Sequence, residues 1–103
     1  MEFNPYYEVT DMGKQVRRHI IFYGRVQGVG FRYRAYYAAK EYRLGGWVKN
    51  RYDGTVEMEV QGDEWNIGSL LDFLHKQDYI RIERVESEEI PLKPESRKFQ
   101  ILY

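Results

Sequence analysis

Hydrophobic positions along the chain switch between two periods, and the switches mark its elements. Residues 17–26, RRHIIFYGRV, are rich in β-branched and aromatic side chains, with Ile20 and Phe22 on one face and His19, Ile21 and Tyr23 on the other. Both faces are apolar enough to predict a strand inside a sheet. From Phe31 the period lengthens: Phe31, Ala35, Ala38, Ala39 and Tyr42 share one helical face. Leu44-Gly45-Gly46 is expected to end that helix, with Gly45 as its left-handed cap. GWVKN, RYDG and TVEMEVQ then predict a hairpin turning at Asp53-Gly54, with Val56, Met58 and Val60 inward and Glu57 and Glu59 on the solvated face. Asp63 is placed to cap a second helix whose Ile67, Leu70, Leu71 and Leu74 form an apolar stripe. YIRIERVE, residues 79–86, predicts a fourth strand, and alternating Phe99, Ile101 and Tyr103 predict a short fifth after Pro91 and Pro94.

The order is β-α-β-β-α-β with an appended strand. Its economical packing is an α+β, ferredoxin-like sandwich: an antiparallel sheet of four strands plus a short C-terminal strand, with two helices on one face. Residues 1–15 lack a period and read as an N-terminal extension, leaving residues 16–103 as the domain.

Composition narrows the chemistry. A chain of 103 residues is one domain, long enough to bury roughly 60 to 70% of its unfolded surface. Sixteen basic residues balance sixteen acidic ones, so no global field gathers nucleic acid or anionic membrane, and any anion site is local. Without cysteine there is no thiolate catalysis and no cysteine zinc site, and His19 and His75 stand in no metal-ligand spacing. The opening residues lack a basic n-region followed by an apolar stretch, and no run of 18 apolar residues occurs, so the expected setting is the cytoplasm, away from the membrane.

The segment GRVQGVGFR, residues 24–32, lies between the first strand and the first helix. Glycines there allow positive φ and leave amide N–H groups uncovered, and a helix start adds roughly half a positive charge. Together they make an anion cradle, with Arg32 on the first turn offering a planar fork matched to phosphate oxygens. The plainer reading is a strand-to-helix turn that needs glycine. No Gly-Lys-Ser/Thr follows, and no parallel βαβ unit with a distal acid is present, so neither nucleotide-binding fingerprint is met.

GRVQGVGFR, GWVKN and DGTVEMEVQG, in this order and spacing, resemble the acylphosphatase family from about Arg17 to Tyr103. The resemblance implies a ferredoxin-like hydrolase that cleaves the carboxyl-phosphate bond of acyl phosphates without metal or cofactor. It implies that Arg32 holds phosphate, that Asn50 orients the attacking water, and that the backbone of Arg25, Val26, Gln27, Gly28, Val29 and Gly30 forms the cradle. The expected partners are a small acyl phosphate and inorganic phosphate as product and inhibitor, with no nucleic acid and no membrane, the chain acting as a monomer. Two departures stand out. Many members carry Gly-Pro where this chain has Gln77-Asp78-Tyr79, and the leader before Arg17 is longer than in compact members.

Taken alone, Asn50 reads as a turn residue before RYDG. An acyl phosphate is already activated, however, so positioning and charge stabilisation carry most of its hydrolysis and no strong base is needed. The remaining candidates have plainer readings. Trp47 and Trp65 read as core or a lid on it, Tyr33, Tyr36 and Tyr37 as outer helix face, residues 86–89 (ESEE) as a solvated charge run, and His19 as a packed histidine. The rival reading is a noncatalytic phosphate- or nucleic-acid-binding ferredoxin-like module, since RNA-recognition domains share the element order. Their basic-Gly-aromatic-Gly strand octamer is absent here, because GVGFRYRA belongs to a loop and a helix. A further alternative is a module of the kind built into larger maturation enzymes.

Overall fold

The first apolar run forms β1 (Gln15–Arg25). The structure is a computed structural model that describes residues 14–103; the proposed extension lies outside the described residues through residue 13, and Gln15 already belongs to β1. There follow α1 (Phe31–Glu41), β2 (Gly45–Asn50), β3 (Val56–Asp63), α2 (Glu64–His75), β4 (Arg81–Ile90) and β5 (Phe99–Leu102). The sheet order is β4-β1-β3-β2-β5. β1 runs antiparallel to β3 and β4, and β2 antiparallel to β3, while β5 pairs parallel with β2. The ferredoxin-like α+β arrangement holds: four antiparallel strands, which the short C-terminal strand joins in parallel, making the sheet mixed. No helix among the described residues is long and apolar enough to cross a membrane.

Strand alternation sends Ile20, Phe22, Val48, Val56, Met58 and Val60 into the core, where they meet Phe31, Ala35 and Ala39 of α1 and Ile67, Leu70 and Leu74 of α2. The small residues of α1 let its backbone approach the sheet closely. Asp63 caps α2 as expected, its carboxylate accepting from Trp65 N at 2.8 Å.

Several details differ from the sequence reading. The left-handed residue ending α1 is Arg43 (φ 59), with Leu44 N bonding Ala39 O at 2.8 Å and Arg43 N bonding Lys40 O at 3.1 Å, the paired bonds of a Schellman ending. Gly45 instead opens β2, where any Cβ would strike the Ser96 carbonyl. Glu86 to Glu89 are exposed, as a solvated charge run should be, yet lie within β4, because pairing with β1 outweighs the low strand preference of a glutamate run. Trp65 is 67% exposed and covers no core.

The open face of the sheet is not simply solvated. Arg17, 1% exposed, donates through Nε and Nη2 to Glu59 Oε1 at 3.0 and 2.7 Å, and through Nη1 to Ser96 Oγ at 2.9 Å and Gln61 Oε1 at 3.3 Å. Gln61 bonds both the backbone N–H and the carbonyl of Lys93. The crossing from β4 to β5 is thereby clasped to β1 and β3. Beside it, His19 Nε2 lies 2.7 Å from Glu57 Oε2.

Removing Arg17 leaves the Glu59 carboxylate, whose side chain is 17% exposed, with only the more distant Lys93 at 3.7 Å. Arg17→Ala is expected to lower stability by about 3 kcal/mol, a fall in Tm of roughly 12 to 24 °C for a domain of this size. Lys14→Ala, which breaks an exposed pair with Glu64 at 4.0 Å, should change it by less than about 1 kcal/mol. Thermal unfolding followed by circular dichroism decides; equal losses in the two variants would contradict the clasp.

Candidate functional site

The loop between β1 and α1 is pinned from below. Phe22, near the end of β1, and Phe31, first in α1, pack with ring centroids 4.9 Å apart, and Val26 between them in sequence is 1% exposed. Arg25 is the last residue of β1, paired with Arg81, so the loop proper is Val26 to Gly30. At Gly24 the β1–β4 register shifts, and a Cβ there would collide with the Arg81 carbonyl. Gly28 (φ 75) and Gly30 (φ 79) hold left-handed conformations. Both glycines are exposed, whereas the side chain of Val26 is consumed by the core.

The two helices begin differently. Gly30 is the N-cap of α1, with no side-chain cap and no acidic residue in the first turn, where α2 has Asp63 and Glu64. The first turn of α1 carries Arg32 instead, a cation at the positive end of the helix. Local preference is therefore violated in the direction that suits an anion.

Arg32 is held from the side of β5. Its Nη1 donates to the Leu102 carbonyl at 3.3 Å, and its guanidinium carbon lies 4.9 Å from the centre of the Tyr103 ring. The neighbouring Tyr33 hydroxyl raises the Tyr103 phenol pKa above its ordinary value. Leu102 pairs with Lys49, the residue before Asn50. Arg34, the other cation of this turn, is drawn toward Gln77 Oε1 at 2.7 Å, and Gln77 Nε2 bonds the Phe73 carbonyl of α2. The connection that departs from Gly-Pro thus ties the two helices together.

Asn50 ends β2 opposite Val56, with the same facing as Val48 opposite Met58. Alternation therefore turns Asn50 toward the helix layer, the side from which Arg32 comes. Its Oδ1 is buried and has no hydrogen-bond partner, an arrangement that few native side-chain oxygens tolerate. Gln27 joins the glycine loop to this hairpin through the Arg51 and Thr55 carbonyls. The loop, Arg32 and Asn50 converge at one end of the sheet, at the edge where β2 meets β5. Sequence reasoning missed the Gln27 side chain and the hold of β5 on Arg32, for neither leaves a periodic signal.

The acylphosphatase family profile matches residues 18–101. The chain belongs to the acylphosphatase family. It is 43% identical over 88 residues to the acylphosphatase of Geobacillus thermodenitrificans, a match covering 84% of this chain and 94% of that one. The crystal structure of Bacillus subtilis acylphosphatase is similar with a TM-score of 0.79 at 35% identity, covering 85% of this chain and 99% of that chain. Full-length HypF in its phosphate- and nucleotide-bound form is similar with a TM-score of 0.76 at 27% identity, but the match covers only 12% of the HypF chain. The match spans nearly the whole Bacillus acylphosphatase chain but a small fraction of HypF.

Asp53 organises the hairpin beside Asn50. Its Oδ1 accepts from Thr55 Oγ1 at 2.6 Å and Thr55 N at 3.0 Å. These bonds, the hydroxyl's first, lower its pKa below the ordinary 3.8. A lowered folded-state value means that the contribution is full above pH 3.8 and is lost as pH falls below it. The Tm difference between the parent and Asp53→Ala should therefore be present near neutrality and shrink on acidification through that region. A gap that persists undiminished into stronger acid would contradict the bonding.

Proposed function

We propose that this chain is an acylphosphatase, hydrolysing acyl phosphates to a carboxylate and inorganic phosphate, with Arg32 and Asn50 as its catalytic residues and the amides of residues 25–30 as the phosphate cradle. The observation that carries the assignment of roles is the buried, unpartnered Oδ1 of Asn50 on the same side of the sheet as an uncapped helix start bearing Arg32. Family membership supplies the reaction class.

The phosphoryl oxygens sit on the loop amides and the helix start, with the Arg32 guanidinium balancing the charge spread over them in the transition state. The Arg32 contacts to β5 steady the guanidinium without a competing negative charge. Asn50 Oδ1 accepts a hydrogen from a water and so turns an oxygen lone pair toward phosphorus. As the new P–O bond forms, the bond from phosphorus to the carboxyl oxygen breaks, the carboxylate leaves with the electron pair, and the water proton passes to a phosphate oxygen. The carboxylate is a good enough leaving group that no metal ion or acid is required. We further read the chain as a cytoplasmic monomer that binds neither nucleic acid nor membrane. The polar pairs on the open sheet face, Arg17 with Glu59 and His19 with Glu57, occupy the surface that a noncatalytic RNA-binding module would give to stacked aromatics.

Phosphate release from acetyl phosphate, followed with chelator present, tests this reading. The parent should be active and competitively inhibited by inorganic phosphate. Asn50→Ala should lower kcat by about 10²- to 10³-fold with little change in phosphate affinity, whereas Arg32→Ala should weaken both. Folded variants that both turn over at the parent rate would refute the assignment, and a parent inactive with and without chelator would shift the weight to a binding module.

A further inference from the structure

The side chain of Gln27 does more than a phosphate cradle made of backbone amides requires. Its Nε2 donates to the Arg51 carbonyl at 2.6 Å and to the Thr55 carbonyl at 2.8 Å. Both hydrogens of one carboxamide nitrogen are thereby spent where the β2–β3 hairpin leaves the sheet. Because both partners are acceptors, the nitrogen and not the oxygen must face them, which fixes the amide's orientation. The same carbonyls already close the hairpin: Thr55 O accepts from Arg51 N at 2.9 Å, and Arg51 O from Gly54 N at 3.2 Å. Each oxygen thus receives one bond from within the hairpin and one from Gln27. On the loop side, Val26, next to Gln27, is 1% exposed and fixed in the core. On the hairpin side, the tether ends on the residue that follows Asn50.

We propose that the Gln27 side chain is a positioning residue for hydrolysis: it locks the hairpin to the phosphate loop and so sets the distance from bound phosphorus to the water held by Asn50. The proposal rests on the reading of Asn50 given above. A cradle of loop amides with Arg32 binds phosphate without help from this side chain. The hairpin that carries Asn50 is what it holds in place. Losing it therefore separates binding from turnover, because misplacing a reacting group by about 1 Å costs on the order of 10²-fold in rate.

Gln27→Met keeps length and volume while removing both donors, and Gln27→Glu keeps the shape but sets a carboxylate against two carbonyl oxygens. With acetyl phosphate as substrate, each is expected to lower kcat by about 10- to 100-fold while the inhibition constant of inorganic phosphate moves by less than about threefold. In an Asn50→Ala background, Gln27→Met should cost less than about threefold further, since the group to be positioned is gone. Relative to the parent, the Gln27→Glu rate should climb as pH is lowered from about 7 to 5, because a protonated carboxyl regains one O–H donor. Parent-like kcat, a phosphate constant that weakens in step with kcat, or full multiplicativity with Asn50→Ala would each overturn the proposal.

Amide hydrogen exchange reads the tether without reference to activity. In Gln27→Met, and in Gln27→Glu should the first variant not fold, the amides of Arg51 and Gly54 should exchange faster than in the parent; unchanged exchange means that no tether exists. A parent without hydrolysis refutes the acylphosphatase reading and the catalytic half of this proposal, while the exchange rates still decide whether Gln27 holds the hairpin.

Discussion

The packing of Phe22 against Phe31 is the constraint on which the rest of the site depends. Glycine-rich loops are entropically expensive to order, and the three glycines of residues 24–32 give this one unusual freedom in the unfolded chain. Two aromatic side chains at its ends, with Val26 buried between them in sequence, fix where the loop begins and ends. The loop's other apolar side chain, Val29, also packs against the core, so both valines are spent inward. Hydrophobic burial thus does the ordering, and hydrogen-bonding capacity remains for a ligand.

Around that pinned loop, polar contacts steady the residues proposed as catalytic or draw a neighbouring cation aside. Arg32 is steadied by a carbonyl and a ring face, neither of which carries the negative charge that would compete with phosphate. Gln27 grips the peptide beside Asn50 and leaves the Asn50 Oδ1 free. Arg34, which would otherwise crowd the same helix start, is held by Gln77 between the two helices. Among the described residues, an uncapped helix start and a buried side-chain oxygen without a partner lie at this end of the sheet. Stability is conceded there and recovered in the core.

The order of elements, the inward residues of β1 and β3 and the capping of α2 were legible because each follows from a local period or a single turn residue. Arg32 and Asn50 were legible through the motif blocks, not through any period. What escaped the sequence depends on distant partners. The left-handed position at Arg43 competes with two following glycines, and the choice is made by Ser96, some fifty residues away, which excludes a Cβ at position 45. Glu57 and Glu59 alternate as surface residues do, but the register places them beside His19 and Arg17. The parallel pairing of β5 with β2 also escaped, because alternation reveals a strand and not its direction.

That pairing links the open face of the sheet to the site. β5 reaches the far edge only because the chain after β4 crosses beneath the strands, and there Arg17, Gln61 and Ser96 bind it to β1 and β3. The crossing delivers Phe99 into the core and sets Leu102 opposite Lys49. Only then does a carbonyl stand where Arg32 can donate to it. A buried arginine on the face away from the helices therefore helps to fix a second arginine on the face that carries them. The route runs through rigid, hydrogen-bonded backbone and needs no moving part. Side chains that never approach a ligand are thus held by the same geometry as those that do, and the polar clasp on the open face belongs to the architecture of the site.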